Sequence, residues 1–125
     1  MIYGIGVDLT HVPRIEAALR RWQERFLNKV FSADEISFCR RRKRPAHCLA
    51  MRFAAKEAFS KALGTGMRRG VYWRDIEVFH NQWGKPGLNI YGHALELVRE
   101  ARITGIHLSL SDENDYALAM VVLEQ

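Results

Sequence analysis

The chain is poor in the residues that staple or punctuate small folds: it carries two cysteines and three prolines in 125 residues. Cys39 and Cys48 are too few for a disulfide framework or a cysteine zinc site, and they read as reduced thiols of a cytoplasmic protein. No apolar run approaches the roughly 20 residues of a membrane span. The opening M-I-Y-G-I-G has no basic n-region and soon meets Asp8, which is not the pattern of a signal peptide. Internal repeats and low-complexity linkers are lacking, and no Ser-His-Asp or Cys-His set is discernible. G-I-G-V-D at 4–8 is not the dinucleotide fingerprint, which needs a third glycine entering a helix. Acids are in the minority, 14 against 19 lysines and arginines, for a formal net charge of +5. That balance implies an acidic partner: nucleic acid, a phosphorylated small molecule, an anionic membrane or an acidic protein.

What is present is enough for one domain, residues 1–125, with an apolar share of 48% to build a core. Ile2–Leu9 reads as a strand in which Gly4 and Gly6 mark close approach of another backbone or a ligand. Asp8 is then a carboxylate in an apolar strand, to be paired, hydrated or bound to a cation. A helix is predicted from Pro13 to about Asn28, with Ile15, Leu19, Trp22 and Phe26 as its core stripe and Arg14, Arg21 and Arg25 beside it. That basic stripe is a solvated face or a docking edge for an acidic partner. Ser32-x-x-Glu35 is a capping box opening a short helix that ends in the basic run Arg40–Arg44.

The central stretch is R-F-A-A-K-E-A-F-S-K-A-L-G-T-G, Arg52 to Gly66, on a helix running from about Ala46 to Leu63 with Gly64 as its cap. Glu57 and Lys61 stand four residues apart on one face, which by itself is the spacing of an ordinary helix-stabilising pair. The glycine loop Gly64–Gly70 follows a helix instead of preceding one, so it is not a P-loop. Residues 71–79 read as a strand bulged near Arg74-Asp75, and Leu88–Tyr91 as its partner. Gly92–Arg102 is a helix with Ala94, Leu95, Val98 and Ala101 inward. Ile106–Leu110 and Tyr116–Leu123 form a closing hairpin around the turn Ser111–Asp115. The order predicts an α+β domain, helices on one face of a mostly antiparallel sheet.

Asp8 and Glu57 come from different elements and could converge. Two carboxylates, a lysine and several arginines suit Mg²⁺ with a polyphosphate, because Mg²⁺ takes one or two carboxylates and fills its octahedron with water and phosphate oxygens. A basic nucleic-acid module is the rival reading from the charge and a pI of about 9.6, although the basic residues are dispersed and no nucleic-acid motif is present. A catalytically inert subunit that only binds an acidic partner is a second rival.

G-I-G-V-D-L at 4–9, the central motif at 52–66, G-K-P at 84–86 and H-L-S-L-S at 107–111 together resemble the small holo-[acyl-carrier-protein] synthase class of 4′-phosphopantetheinyl transferases, over nearly the whole chain. The resemblance implies a homotrimer with active sites between subunits. It also implies Mg²⁺-dependent transfer of phosphopantetheine from coenzyme A to a serine of apo acyl carrier protein, in fatty acid biosynthesis, without nucleic acid or membrane. By position it makes Asp8 and Glu57 the Mg²⁺ ligands and sets Lys61 beside the pyrophosphate. Arg52, Gly64, Thr65, Gly66, Lys85, Pro86, His107 and Ser109 fall among the coenzyme A contacts, and Arg14, Arg21 and Arg25 on the carrier-docking edge. The general base is left between Glu57 and a metal-bound water. Many members have His where this chain has Asp112, so Asp112 either contacts metal-bound water or has no part.

Overall fold

In the computed structural model, which describes residues 1–125, a long alanine-rich helix lies across the inner face of a three-stranded sheet, and the other elements are arranged around that contact. The elements are β1 (Ile2–His11), α1 (Val12–Trp22), α2 (Glu24–Val30), α3 (Ala33–Arg40), α4 (Pro45–Leu63), a 3₁₀ turn (Trp73–Asp75), β2 (Ile76–His80), β3 (Pro86–Ile90), α5 (Gly92–Glu100), β4 (Gly105–Glu113) and β5 (Tyr116–Glu124). All strand pairs are antiparallel, but they form two sheets: one in the order β1-β5-β4 and a separate β2-β3 hairpin. The α+β class holds, and the single sheet of the sequence reading becomes two.

Register assigns the faces of the large sheet, since directly paired residues share a face. Gly6, Val121 and Leu108 form one inner row, Asp8, Ala119 and Leu110 the next, and Thr10, Ala117 and Asp112 a third. The alternate rows, Ile5-Val122-His107, Val7-Met120-Ser109 and Leu9-Leu118-Ser111, point away from the helix. Ala54, Ala55, Ala58 and Ala62 of α4 are fully or almost fully buried against the inner face, in one core cluster with Ala119, Val121 and Leu123. The N-terminal half of α4 supplies Leu49, Ala50 and Phe53 to a second cluster, with Val12, Ile15, Leu27, Val30 and Phe31.

Several local expectations change. The predicted first helix breaks at Gln23, which takes φ 47° and donates its N–H to the Leu19 carbonyl. The break lets Leu27 and Val30 turn into the second cluster and leaves Trp22, expected in the core, 45% exposed. The stripe of Arg14, Arg21 and Arg25 is therefore not one continuous helical edge. The irregularity at Arg74-Asp75 is a 3₁₀ turn, with β2 starting only at Ile76. The closing hairpin carries Ser111, Asp112 and Glu113 inside β4, so that Asn114 and Asp115 alone make the turn.

The cysteines are not free thiols. Cys39 ends the buried face of α3, Cys48 lies in the first turns of α4, and the basic turn between the helices reverses the chain so that their Cα atoms come within 5.5 Å and the sulfurs are bonded. The capping box is present in both directions: the Ser32 hydroxyl accepts from the Glu35 N–H at 3.2 Å, and the Glu35 carboxylate accepts from the Ser32 N–H at 2.9 Å.

Candidate functional site

The site begins with two missing side chains. A Cβ at Gly4 would overlap the carbonyl oxygen of Ala62, and one at Gly6 would overlap the carbonyl oxygen of Ala58. Only glycine lets β1 lie backbone to backbone on α4, one strand repeat matched to one helical turn. Asp8 is the next residue on that face. Its placement against the helix is therefore fixed by the two glycines before it.

There Asp8 meets Lys61. The Lys61 ammonium donates to Asp8 Oδ1 at 3.1 Å and to the Val7 carbonyl at 2.9 Å, while the Thr10 hydroxyl donates to Asp8 Oδ2 at 2.7 Å. The Asp8 side chain is 15% exposed and that of Lys61 51%, so the carboxylate sits in the wall and the ammonium lies at the surface. Glu57 stands one turn before Lys61 on α4, half-buried. Burial, and then the charge of Asp8, raise its carboxyl above the usual range, against the opposing pull of Lys61 and Arg14. A half-buried Glu57 whose ionisation is disfavoured by burial and by the neighbouring acid makes with Asp8 a donor set that a hard divalent cation would relieve. No third His, Cys, Asp or Glu joins them in a cluster able to hold a metal by itself. The residues thus fit Mg²⁺ shared with water and a ligand's oxygens better than a closed protein cage.

The remaining residues singled out in the sequence fall into three places. The Gly64-Thr65-Gly66 turn closes α4, with Gly64 at φ 92° and the N–H groups of Gly64, Thr65 and Gly66 all donating to the Ser60 carbonyl. Arg52 is almost fully buried and packs over Phe38 at 4.4 Å, with one NH group donating to Cys48 Sγ at 3.2 Å and the other at 3.3 Å from His80 Nδ1. Its Nε has no partner. Clefts of about 440 and 340 Å³ meet at Arg52. The first also holds Arg41, Phe79 and Asn89, and the second Arg42, Arg44 and Asp112. His80, held below its usual range by burial and then by Arg52 and Arg42, is paired in the hairpin with Pro86, next to Lys85. His107 and Ser109 lie on the outer face of the large sheet, opposite to Asp8, and His107 Nε2 is 3.0 Å from Glu124. A single protomer does not bring them to Asp8 and Glu57.

On the helical side, Arg14 is near enough to lower the Glu57 carboxyl. Arg21 and Arg25 both lie over the exposed Trp22 ring, at 4.8 and 5.7 Å from its centroid. Trp22, Arg25, Phe26 and Lys29 line a cavity of about 330 Å³. Trp22 is read as core from its spacing, and the chain break at Gln23 is what leaves it on the surface, whereas Phe26 is partly buried against the second cluster, edge-on to Phe31, as its spacing predicts.

One residue escaped the sequence reading. Lys56, beside Glu57, is fully buried with Glu35: its ammonium donates to Glu35 Oε1 at 2.8 Å, to the Trp73 carbonyl at 3.0 Å and to the Ile76 carbonyl. Glu35 Oε2 accepts from the Val78 N–H at 3.0 Å. One buried pair thus ties α3, α4, the 3₁₀ turn and β2 behind the site.

Residues 4–121 match the model of the 4′-phosphopantetheinyl transferase superfamily. The holo-[acyl-carrier-protein] synthase of Halothermothrix orenii is 49% identical over 125 residues, covering 100% of this chain and 99% of that one. Among solved structures, the holo-[acyl-carrier-protein] synthase of Neisseria meningitidis superposes with a TM-score of 0.92 at 41% identity, with both chains covered in full. That of Bacillus anthracis, in complex with CoA (3′,5′-ADP), gives 0.82 at 36% identity over 100% of this chain and 98% of the other.

Proposed function

The chain belongs to the 4′-phosphopantetheinyl transferase superfamily, and on that premise we propose that it transfers the 4′-phosphopantetheine of coenzyme A to a serine of apo acyl carrier protein. The products are holo carrier protein and adenosine 3′,5′-bisphosphate, in the cytoplasm and in the service of fatty acid biosynthesis. The observation that carries the reading is the convergence of Asp8 from β1 with Glu57 and Lys61 from α4.

Asp8 and Glu57 would hold Mg²⁺, which when bound offsets negative charge on the pyrophosphate oxygens. The carrier serine oxygen attacks the phosphorus that bears pantetheine, in line with the bond to the adenosine-side phosphate, which breaks. The exposed Lys61 ammonium stabilises or protonates the departing phosphate. Glu57, with its raised carboxyl, is a group on this chain able to take the serine proton. Arg52, with an unpartnered Nε where a basic cleft meets one of mixed charge, suits the phosphorylated adenosine end of coenzyme A, together with Lys85, Pro86 and the Gly64-Thr65-Gly66 turn. Asp112, at the rim of the second cleft, fits a contact there better than a catalytic part.

A homotrimer with sites between subunits is supported by the outer face of the large sheet. Ile5, Val7 and Leu9 are 57%, 49% and 60% exposed there, with Leu118 and Met120 beside them. Such a contiguous apolar patch implies a covering partner. The same face carries His107 and Ser109, so a second copy packed on it would deliver them to its neighbour's Asp8 and Glu57. Arg14, Arg21 and Arg25, the last two over the exposed Trp22 ring, form the surface for an acidic carrier, and Arg14 links that surface to Glu57.

Mixing the chain with coenzyme A, Mg²⁺ and apo carrier, then weighing the carrier, tests the reading. The carrier gains one phosphopantetheine and adenosine 3′,5′-bisphosphate is released. An unchanged carrier mass with correctly folded protein contradicts it.

A further inference from the structure

The mechanism leaves the cysteine pair unused, and its surroundings are those of a reactive site. Cys39 is fully buried in the last turn of α3, whereas Cys48 is half-buried and lines the 340 Å³ cleft with Arg42, Arg44, His47 and Arg52. The two sulfurs of one bond are therefore unequal: one is closed off, and the other opens on a cationic cleft. Arg52 donates to the open sulfur at 3.2 Å. A cationic, accessible setting favours thiolate over thiol and draws anionic reactants. Disulfides in reducing compartments are mostly transient and redox-sensing.

We propose that Cys39–Cys48 is a thiol–disulfide exchange site for small anionic thiols and their disulfides, of the glutathione class, and that its state sets the affinity of the Arg52 cleft for coenzyme A. In the reducing direction the incoming thiolate attacks Cys48 Sγ, the Cys48–Cys39 bond breaks, and Cys39 leaves and takes up the proton released by the attacking thiol. A second small thiol, as its thiolate, attacks the sulfur of the first in the mixed disulfide. The bond to Cys48 breaks, Cys48 leaves as the thiolate, the two small sulfurs depart joined as the small disulfide, and the proton of the second thiol passes to water. Two electrons pass from two small thiols to the protein bond, and the oxidising direction reverses each step. Once freed, the Cys48 sulfur carries negative charge beside Arg52 and competes for the guanidinium that coenzyme A would otherwise take. The basic turn between α3 and α4 also loses its clamp. The reduced form thus binds coenzyme A more weakly, a consequence that rests on the functional reading of Arg52 given above. The exchange itself does not.

The test has two arms. Alkylation in denaturant, read by mass, should add nothing to the air-isolated chain and two groups to the chain first reduced with dithiothreitol, and oxidised glutathione added to the folded chain should restore protection. In Cys39→Ser, oxidised glutathione should load Cys48; in Cys48→Ser, the buried Cys39 should stay unloaded. Alkylation of both cysteines in the oxidised sample, or equal loading of both single variants, overturns the exchange site. In the second arm, the KM for coenzyme A should rise on reduction by about 3- to 10-fold, the worth of one competing hydrogen bond, with the KM for carrier unmoved. One KM in both states overturns the coupling to Arg52. A chain that exchanges but transfers nothing in either state upholds the exchange site and overturns the functional reading instead.

Discussion

Replacing Gly6 by alanine adds one methyl group at the place where the site is assembled. That methyl would overlap the Ala58 carbonyl and crowd the Ala62 N–H at 2.7 Å. Both obstacles are helix backbone, so no rotamer change relieves them: either α4 bends or β1 lifts. Overpacking of a well-filled core costs about 1–3 kcal/mol, and a clash with backbone alone belongs at the upper end, about 3 kcal/mol. That is a loss of about 150-fold in the folding equilibrium constant. Urea unfolding followed by circular dichroism should show the fall in midpoint with an unchanged slope. The chemistry should suffer separately, because lifting β1 carries Asp8 away from Glu57 and Lys61, and a displacement of about 1 Å at a reacting centre costs on the order of 10²-fold in rate. Measured well below the unfolding midpoint, transfer by Gly6→Ala should therefore drop by about that factor. A variant with native stability and native rate would refute the claim that the glycines set the distance between the strand acid and the helix.

Three further outcomes follow from the same packing. Lys56→Met leaves the Glu35 carboxylate buried without its cation and should cost about 3–5 kcal/mol in urea unfolding; a loss under about 1 kcal/mol would mean that the pair is not buried as a unit. Leu9→Asp places a charge in the exposed apolar stripe and should convert the proposed trimer to monomers by light scattering, with transfer lost; a mass equal to that of the unsubstituted chain would remove the outer face as the interface. His80 is held neutral below its usual range, so the unfolded chain takes up its proton first. Stability should then fall as pH drops below about 6.5, and His80→Asn should flatten that part of the curve.

Much of this was legible locally. The capping box at Ser32, the Gly64 cap and the closing hairpin depend on residues within a few positions of one another. The meaning of Gly4 and Gly6 was readable as close approach, and Asp8 stood out as an acid in an apolar strand. That Asp8 would face Glu57 and Lys61 was only a wager, because convergence of separate elements has no local signal. The break at Gln23 was hidden by apolar spacing that runs on through Trp22 and Phe26, and by a left-handed conformation at a residue other than glycine. Lys56 looks like any helix lysine; its burial is decided by α3, β2 and the 3₁₀ turn meeting over it. The cysteine bond depends on how the Arg41–Arg44 turn reverses the chain, and composition argued the other way. His107 and Ser109 could be put on one strand face, but that this face is opposite to Asp8 required the register of three strands.

Cation binding at the two acids tests the central claim most directly, with Mn²⁺ as a paramagnetic stand-in followed by electron paramagnetic resonance in the presence of coenzyme A. The account predicts one bound ion per site in the native protein, and loss of that signal in both Asp8→Asn and Glu57→Gln while each remains folded by circular dichroism. Undiminished binding in either variant would contradict it.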